Sequence, residues 1–220
     1  MHEEALFYIG SLGITSIMIT MAGITVILSL ICIIGTRHLQ MIPTGFQAIL
    51  EKSVEALDNF ITETLGKETG RRLFPLLATM FIFILISNYS GLLPMSGKLP
   101  GLEAPTSSLS VTVSLALITF FTTHYAGVKA HGIGYLKHFI RPVIFLAPLF
   151  VLDELVRPLS LSIRLYGNIF GDESVTEQFF QMVPLGLPLT MNAFVLLMGF
   201  VQALVFLILS SIYIGGAIDE

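Results

Sequence analysis

Long apolar runs alternate with short polar connections along the whole chain. Uncharged apolar stretches cover Ala5 to Thr36, Leu73 to Gly97, Leu109 to Val128 and Phe179 to Ile218, each at or above the roughly 20 residues that a helix needs to cross a bilayer. Between the first two, Phe46, Ile49, Leu50, Val54, Leu57, Ile61 and Leu65 recur at three- and four-residue spacing, with Glu51, Lys52, Glu55, Asp58 and Glu63 mostly between them. That period predicts an amphipathic helix, lying on the bilayer surface or packed on a soluble partner. Pro94, Pro100 and Pro105 with several glycines mark a turn region before Leu109, and KAHGIGYLKHFIRP supplies the next polar connection. From Val143 to Val183 the pattern is helical but about twice the length of a perpendicular span, which demands strong tilt, a break, or both. The fold expected is all-α: five transmembrane crossings plus one amphipathic interfacial helix, ending in a long, strongly tilted C-terminal helical hairpin. Residues 1–220 are expected to form a single integral membrane domain, with the first span at 1–36, the interfacial helix at 41–70, two spans in 71–128 and the hairpin at 141–220.

Composition agrees with the pattern. Hydrophobic residues make up 54% of the chain and charged residues 12%, against about a quarter charged in an ordinary soluble domain. The start, MHEEALFYIG, is acidic where a secretory leader is basic, and the run after it is too long for a cleaved leader, so the first span is expected to stay in the mature protein. The single cysteine, Cys32, lies inside that span, which excludes a disulfide framework or a cysteine metal site within one chain. A net charge of -4 broken up by membrane spans does not suit nucleic acid. No G-x-x-x-x-G-K-[ST] occurs, so nucleotide chemistry is not expected here. Orientation follows from the basic residues. If the first span runs inward, Arg37, Lys52, Lys67, Arg71, Arg72, Lys129, Lys137 and Arg141 lie inside and Lys98 alone outside, which places the N-terminus outside and the C-terminal AIDE inside.

Two arginines belong to neither side. Arg157 and Arg164 fall in the long segment, where an arginine at bilayer depth costs roughly 2.5 to 3.5 kcal/mol on insertion scales and generally serves function. At 100° per residue, Arg157, Ser160, Arg164, Gly167, Asn168 and Gly171 share one small, polar face. Gly167 and Gly171 form a G-x-x-x-G spacing that admits a close partner helix. Glu173, nine residues after Arg164, and Glu177, one turn further on, face the opposite way. Arg164 therefore needs an anionic partner from outside its own segment, while the two glutamates suit a wet path for protons or a cation. For Arg157, two turns toward the inside, snorkelling to the interface is a sufficient reason.

RPLSLSIRLYGNIFGDE at 157–173 and FVQALVFLILSSIYIG at 200–215 resemble the two hallmark helices of subunit a of the F-type rotary ATP synthase. APTSSLSVTVSLAL at 104–117 is similar to an earlier span of the same family, and the likeness extends over nearly the whole chain. The resemblance implies an ion-translocating stator that abuts a ring of c subunits, with two half-channels leading to a carboxylate on each ring subunit. Its partners would be the c-subunit ring, the subunit b peripheral stalk, the remainder of the synthase and the lipid bilayer; no cofactor and no metal are implied. Arg164 matches the essential arginine. Asn168 and Glu173 match the outer half-channel, Gln202 the glutamine near the arginine, and Ser160 with Asp153 and Glu154 residues toward the inner half-channel. Val195 departs from the pattern, because many family members carry an ionisable residue there. Glu177, Asp172 and Asn192 are the candidate replacements. Ser107 and Ser108 match a polar entry to the span at Leu109, or cap it. His124 is a candidate channel residue or an interfacial packing residue, and His131 and His138 read as loop histidines. A chain this short with no transit peptide is expected in a bacterial plasma membrane, or alternatively a thylakoid membrane.

Two rival readings differ in kind. A self-sufficient secondary ion transporter or channel would also hold charges at mid-membrane, yet no internal repeat or pair of broken helices marks this chain. An intramembrane hydrolase fails because no nucleophile, base and orienting residue recur on plausible faces.

Overall fold

The computed structural model describes residues 5–9, 12–37, 45–92, 103–132, 134–135, 147–182 and 187–219. The connections expected around 38–44, 93–102, 136–146 and 183–186, with Lys98, Lys137, His138 and Arg141, lie outside the described residues. Two compact units are present, Met1–Pro105 and Thr106–Glu220.

In the first unit, the apolar run expected to be helical from Ala5 divides in two. Ala5–Ile9 (β1) and Leu12–Thr15 (β2) pair antiparallel, with Phe7 opposite Ile14 and Ile9 opposite Leu12. Aromatic and β-branched side chains favour the pleated surface there, and Gly10 and Gly13 weaken a helix at the same place. The first helix, α1, therefore starts at Ser16 and ends at Thr36. Its 21 residues still reach about 31 Å, the thickness of a hydrocarbon core. Its hydroxyls are satisfied locally: Thr25 donates to the Met21 carbonyl at 2.8 Å, Ser29 to Thr25 at 2.8 Å and Thr36 to Cys32 at 2.7 Å.

The amphipathic segment forms α2, Phe46–Leu65, and the next span forms α3, Lys67–Ser90. The expected bounds of the surface helix shrink because Gly45 and Gly66 adopt φ of 59° and 78°, a backbone region that ends α2 at both sides. A single residue, Gly66, thus joins two packed helices. Their closest approach is at Gly70, where an added Cβ would lie 2.8 Å from the Thr62 Cα and 3.2 Å from the Ile61 carbonyl oxygen. Ile61 beside it is fully buried. Gly70→Ala is expected to force the helices apart at a cost of about 1 to 3 kcal/mol. A lowered Tm of the detergent-solubilised protein checks this, with Gly23→Ala, whose Cβ meets nothing within 4 Å, as the silent control.

In the second unit, α4 (Leu109–His131), α5 (Ala147–Met182) and α6 (Leu187–Asp219) each pack on the other two. Leu161, Leu165 and Ile169 form the buried row of α5 at four-residue spacing, against Val111, Leu115 and Ala116 of α4 and Ala203, Phe206 and Leu207 of α6. Hydroxyls are buried in the same seam, with Thr119 and Ser210 side chains 3.3 Å apart across α4 and α6. Ser108 does not cap α4 with its side chain; its hydroxyl meets Ser110 at 2.7 Å. At 1.5 Å per residue α5 and α6 are about 54 and 50 Å long, well beyond one bilayer core.

Among the described residues, four helical stretches are long and apolar enough to cross a membrane: Ser16–Thr36, Lys67–Ser90, Leu109–His131 and Met191–Ile218. The architecture is that of a helical membrane protein with a short N-terminal hairpin. Helix α5 falls outside those four because it carries Asp153, Glu154, Arg157, Arg164, Asp172, Glu173 and Glu177.

Candidate functional site

Helix α5 has two chemically different sides. One side is open: Val156, Leu159 and Ile163 are 52 to 55% exposed, and Arg164 and Gly167 stand exposed beside them. Cβ atoms added at Gly167 and Gly171 would meet nothing within 4 Å. Among the described residues Arg164 has no ion-pair or hydrogen-bond partner. The charge thus stands unmatched within its own unit, next to a backbone stripped of side chains. A second surface of negative charge and close-packing shape would fit there.

Other expected polar residues lie along the edge of α5 that meets α6, with Asn168 still exposed. Asn168 Nδ2 donates a hydrogen bond to Gln202 Oε1, joining α5 to α6 one turn beyond Arg164. This pairing brings together two residues 34 positions apart in the chain. One turn further, Asp172 is half-buried, and its Oδ2 has no hydrogen-bond partner among the described residues; Thr176 Oγ1 and Gln202 Nε2 are in the same condition. Glu173 is half-buried, Asn192 half-buried, and Val195 is only 8% exposed on α6. Helix geometry puts Glu173 about 180° from Arg164 on the continuous α5. The Glu177 side chain lies outside what is described. Among the described residues, Asp172 is the candidate replacement for the residue missing at Val195 with a carboxyl oxygen buried and unmatched.

A third group sits at the N-terminal end of α5. Glu154 is in contact with Arg157 at 3.0 Å and with the imidazole Nε2 of His124 at 3.7 Å, and Arg157 also reaches Asp153 at 3.3 Å. His124 Nδ1 is 2.9 Å from the Tyr135 hydroxyl, and the Arg157 guanidinium lies 5.6 Å from the ring centre of Tyr213. A small pocket between α4, α5 and α6 opens here, lined by Thr119, Thr123, Glu154, Arg157, Pro158 and Tyr213 among others. Arg157 therefore has its counter-ions within its own helix, which gives it a second reason beyond snorkelling. Ser160 is half-buried, one turn before Arg164.

Sequence reasoning missed Tyr135 and Tyr213, because neither carries a charge and each meets its partner only through packing. Gly127 is the local device that seats Tyr135: a Cβ there would lie 2.5 Å from the tyrosine ring. His131 is not a loop residue but ends α4, with its Nε2 2.7 Å from the Ile218 carbonyl oxygen of α6.

Comparison with known proteins points in one direction. The family model described as ATP synthase A chain matches residues 16–215. The chain is similar to the ATP synthase subunit a of Trichlorobacter lovleyi, at 43% identity over 90% of this chain and 84% of that protein. It is also similar to that of Geobacter sulfurreducens, at 42% over 90% and 85%. For subunit a 1 of Syntrophotalea carbinolica the identity is 41%, over 93% of this chain and 83% of the relative. A match of that length, through both helices that carry Arg164 and Gln202, means that this chain belongs to the ATP synthase subunit a family.

Proposed function

We propose that α5 and α6 of this ion-translocating stator subunit of the F-type ATP synthase carry two half-channels that meet at Arg164. The subunit is not an enzyme; ATP chemistry resides in other subunits, and this chain works in the membrane with the c ring and the rest of the complex. One observation carries the assignment of roles: Arg164 is exposed and unpaired among the described residues, beside two glycines with open space over them. A ring carboxylate arriving at that face supplies the missing counter-charge, and the arginine in turn disfavours the protonated or ion-loaded form of that carboxylate. Ion release and rotation follow from the same electrostatic exchange. Because the arginine is fixed, ions cannot pass it directly from one half-channel to the other.

On this reading Asn168, Gln202, Asp172 and Glu173 line the outer access path, with Glu177 further along the same helix. Ser160 and Glu154 line the inner one. Asp172 takes the place of the ionisable group missing at Val195, a role supported by its buried, unmatched oxygen. The chain makes five crossings in one membrane domain, α5 being the strongly tilted one, and α2 lies on the bilayer surface with Ile49 and Val54 toward the lipid. The charge order places the N-terminus outside and the C-terminus in the cytoplasm of a bacterial plasma membrane, where the subunit b stalk holds it. Co-isolation of the tagged chain with a c ring and a nucleotide-binding head is the expected result. Ion transport by the lone reconstituted chain would instead make it a secondary transporter and overturn the proposal.

A further inference from the structure

Of the group around His124, Glu154 has a part in the inner access path, whereas His124, Tyr135 and Tyr213 have none. The group lies where the C-terminal half of α4, the N-terminal part of α5 and the C-terminal part of α6 come together, about 15 Å along α5 from Arg164. Among the described residues, several titratable or charged groups surround His124. The Tyr135 hydroxyl holds its Nδ1 at 2.9 Å, Glu154 Oε1 stands 3.7 Å from its Nε2, Arg157 and Asp153 sit behind Glu154, and Tyr213 of α6 lies under Arg157. On its own helix, Lys129 is drawn toward the Tyr125 ring and His131 binds the Ile218 carbonyl.

The charge count is uneven. Two carboxylates face one guanidinium while the imidazole is neutral, and a proton on His124 brings the cluster to neutrality. The side chains of His124 and Glu154 are 23% and 15% exposed, so both are largely withdrawn from water yet still reachable from it. Imidazole is the side chain whose ordinary charge change falls between about pH 5 and 8. Its ring is held in place rather than free, through Tyr135, which is itself 6% exposed and packed into the notch left by Gly127.

We infer that His124, steadied by Tyr135 and facing Glu154, is the proton-loading residue of the inner half-channel. The inference deepens the stator reading and rests on it and on the orientation given there. A proton from water adds to the imidazole; the Nε2–H bond then breaks as an O–H bond forms on Glu154, and the imidazole returns to its neutral state. The 3.7 Å gap becomes a hydrogen bond when the side chains close by about 1 Å. Arg157 holds the other oxygen of Glu154 at 3.0 Å, so that Oε1 alone receives the proton. Loss of the proton from Glu154 toward the pocket completes the step. Tyr135 and Gly127 are positioning residues: they fix which way the imidazole points.

Inverted vesicles carrying the whole synthase test this, because ATP-driven pumping then loads protons at the inner mouth from the bath. Pumping per ATP hydrolysed is recorded against bath pH. His124→Gln is expected to pump several-fold more slowly and to lose the dependence on bath pH that the imidazole confers. A His124→Gln curve superimposable on the unmodified one overturns the inference. Should that variant fail to co-isolate with the ring, Tyr135→Phe and Gly127→Ala are read instead. Displacement of their curves along the pH axis supports the inference, and two unmoved curves overturn it. Arg164→Ala in the same vesicles separates the two readings: coupled pumping by that variant overturns the stator roles, whereas its failure beside an unmoved His124→Gln curve overturns this inference alone.

Discussion

Arg164→Ala is expected to abolish coupled ATP synthesis in vesicles while the complex still assembles. The reason lies in two features of the site. Arg164 makes no hydrogen bond or ion pair with any described residue, so the substitution removes nothing that the chain's own fold relies on. What it removes is the one positive charge presented at the open face of α5. An isolated charge of this kind in a membrane is kept at a cost of roughly 2.5 to 3.5 kcal/mol, and a residue without an internal partner recovers that only through the group it meets outside. Without it the ring carboxylate keeps its ion, and nothing stops ions from leaking between the half-channels. Synthesis driven by an imposed gradient is expected to fall below detection, with passive leak raised and the ring still co-isolating. Synthesis at near-normal rate would refute the role. Arg157→Ala serves as the contrast: its charge is already matched by Asp153 and Glu154, so slower but still coupled synthesis is expected.

The second large effect concerns the outer path. Asp172 and Glu173 are adjacent on α5, and Asp172 follows the Asn168–Gln202 pair by one helical turn. A buried carboxyl oxygen without a donor costs free energy, on the order of 1 to 3 kcal/mol, until a proton or another donor satisfies it. Asp172→Asn or Glu173→Gln alone is expected to slow ATP-driven pumping by about tenfold, equivalent to ~1.4 kcal/mol on the barrier. The double variant should lose far more than the two single effects combined, because each carboxyl relays for the other. Introducing His or Glu at Val195 should partly restore Asp172→Asn, since Val195 is buried on the facing helix and marks the usual seat of such a group in the family. Normal pumping by Asp172→Asn, with ATPase activity as control, would leave Glu173 to work with Asn168 and Gln202 alone.

Much of this molecule is written in one dimension. Spans with helical period, the surface helix of alternating character and the two arginines at membrane depth are all local or periodic signals, and a bilayer converts local hydropathy into architecture because an unpaired backbone cannot remain in lipid. The face shared by Arg164, Gly167 and Asn168 is likewise a property of helix period alone. Where local propensity competed with hydropathy, the sequence was ambiguous. Residues 5–15 are apolar enough for a helix, yet 5–9 and 12–15 pair as two antiparallel strands, as a sequence rich in β-branched and aromatic residues favours. The positive φ of Gly45 and Gly66 decided the ends of α2, which periodicity alone overextended.

Only tertiary packing decided which polar groups meet. Asn168 and Gln202 come together because α5 and α6 interlock along Leu161, Leu165, Ile169, Ala203 and Phe206, a register that no spacing within either helix specifies. Asp172 has an oxygen buried without a partner among the described residues, since burial depends on what stands around a residue and not on its own identity. His124, Tyr135, Glu154, Arg157 and Tyr213 lie as much as 89 positions apart, from His124 to Tyr213, and form one cluster because three helices converge there and Gly127 leaves room for the Tyr135 ring. The sequence alone determined that a charge sits in the membrane and on which face; the fold determined which groups share it, because sharing a proton or a counter-ion requires a few ångströms of distance, and only packing sets that.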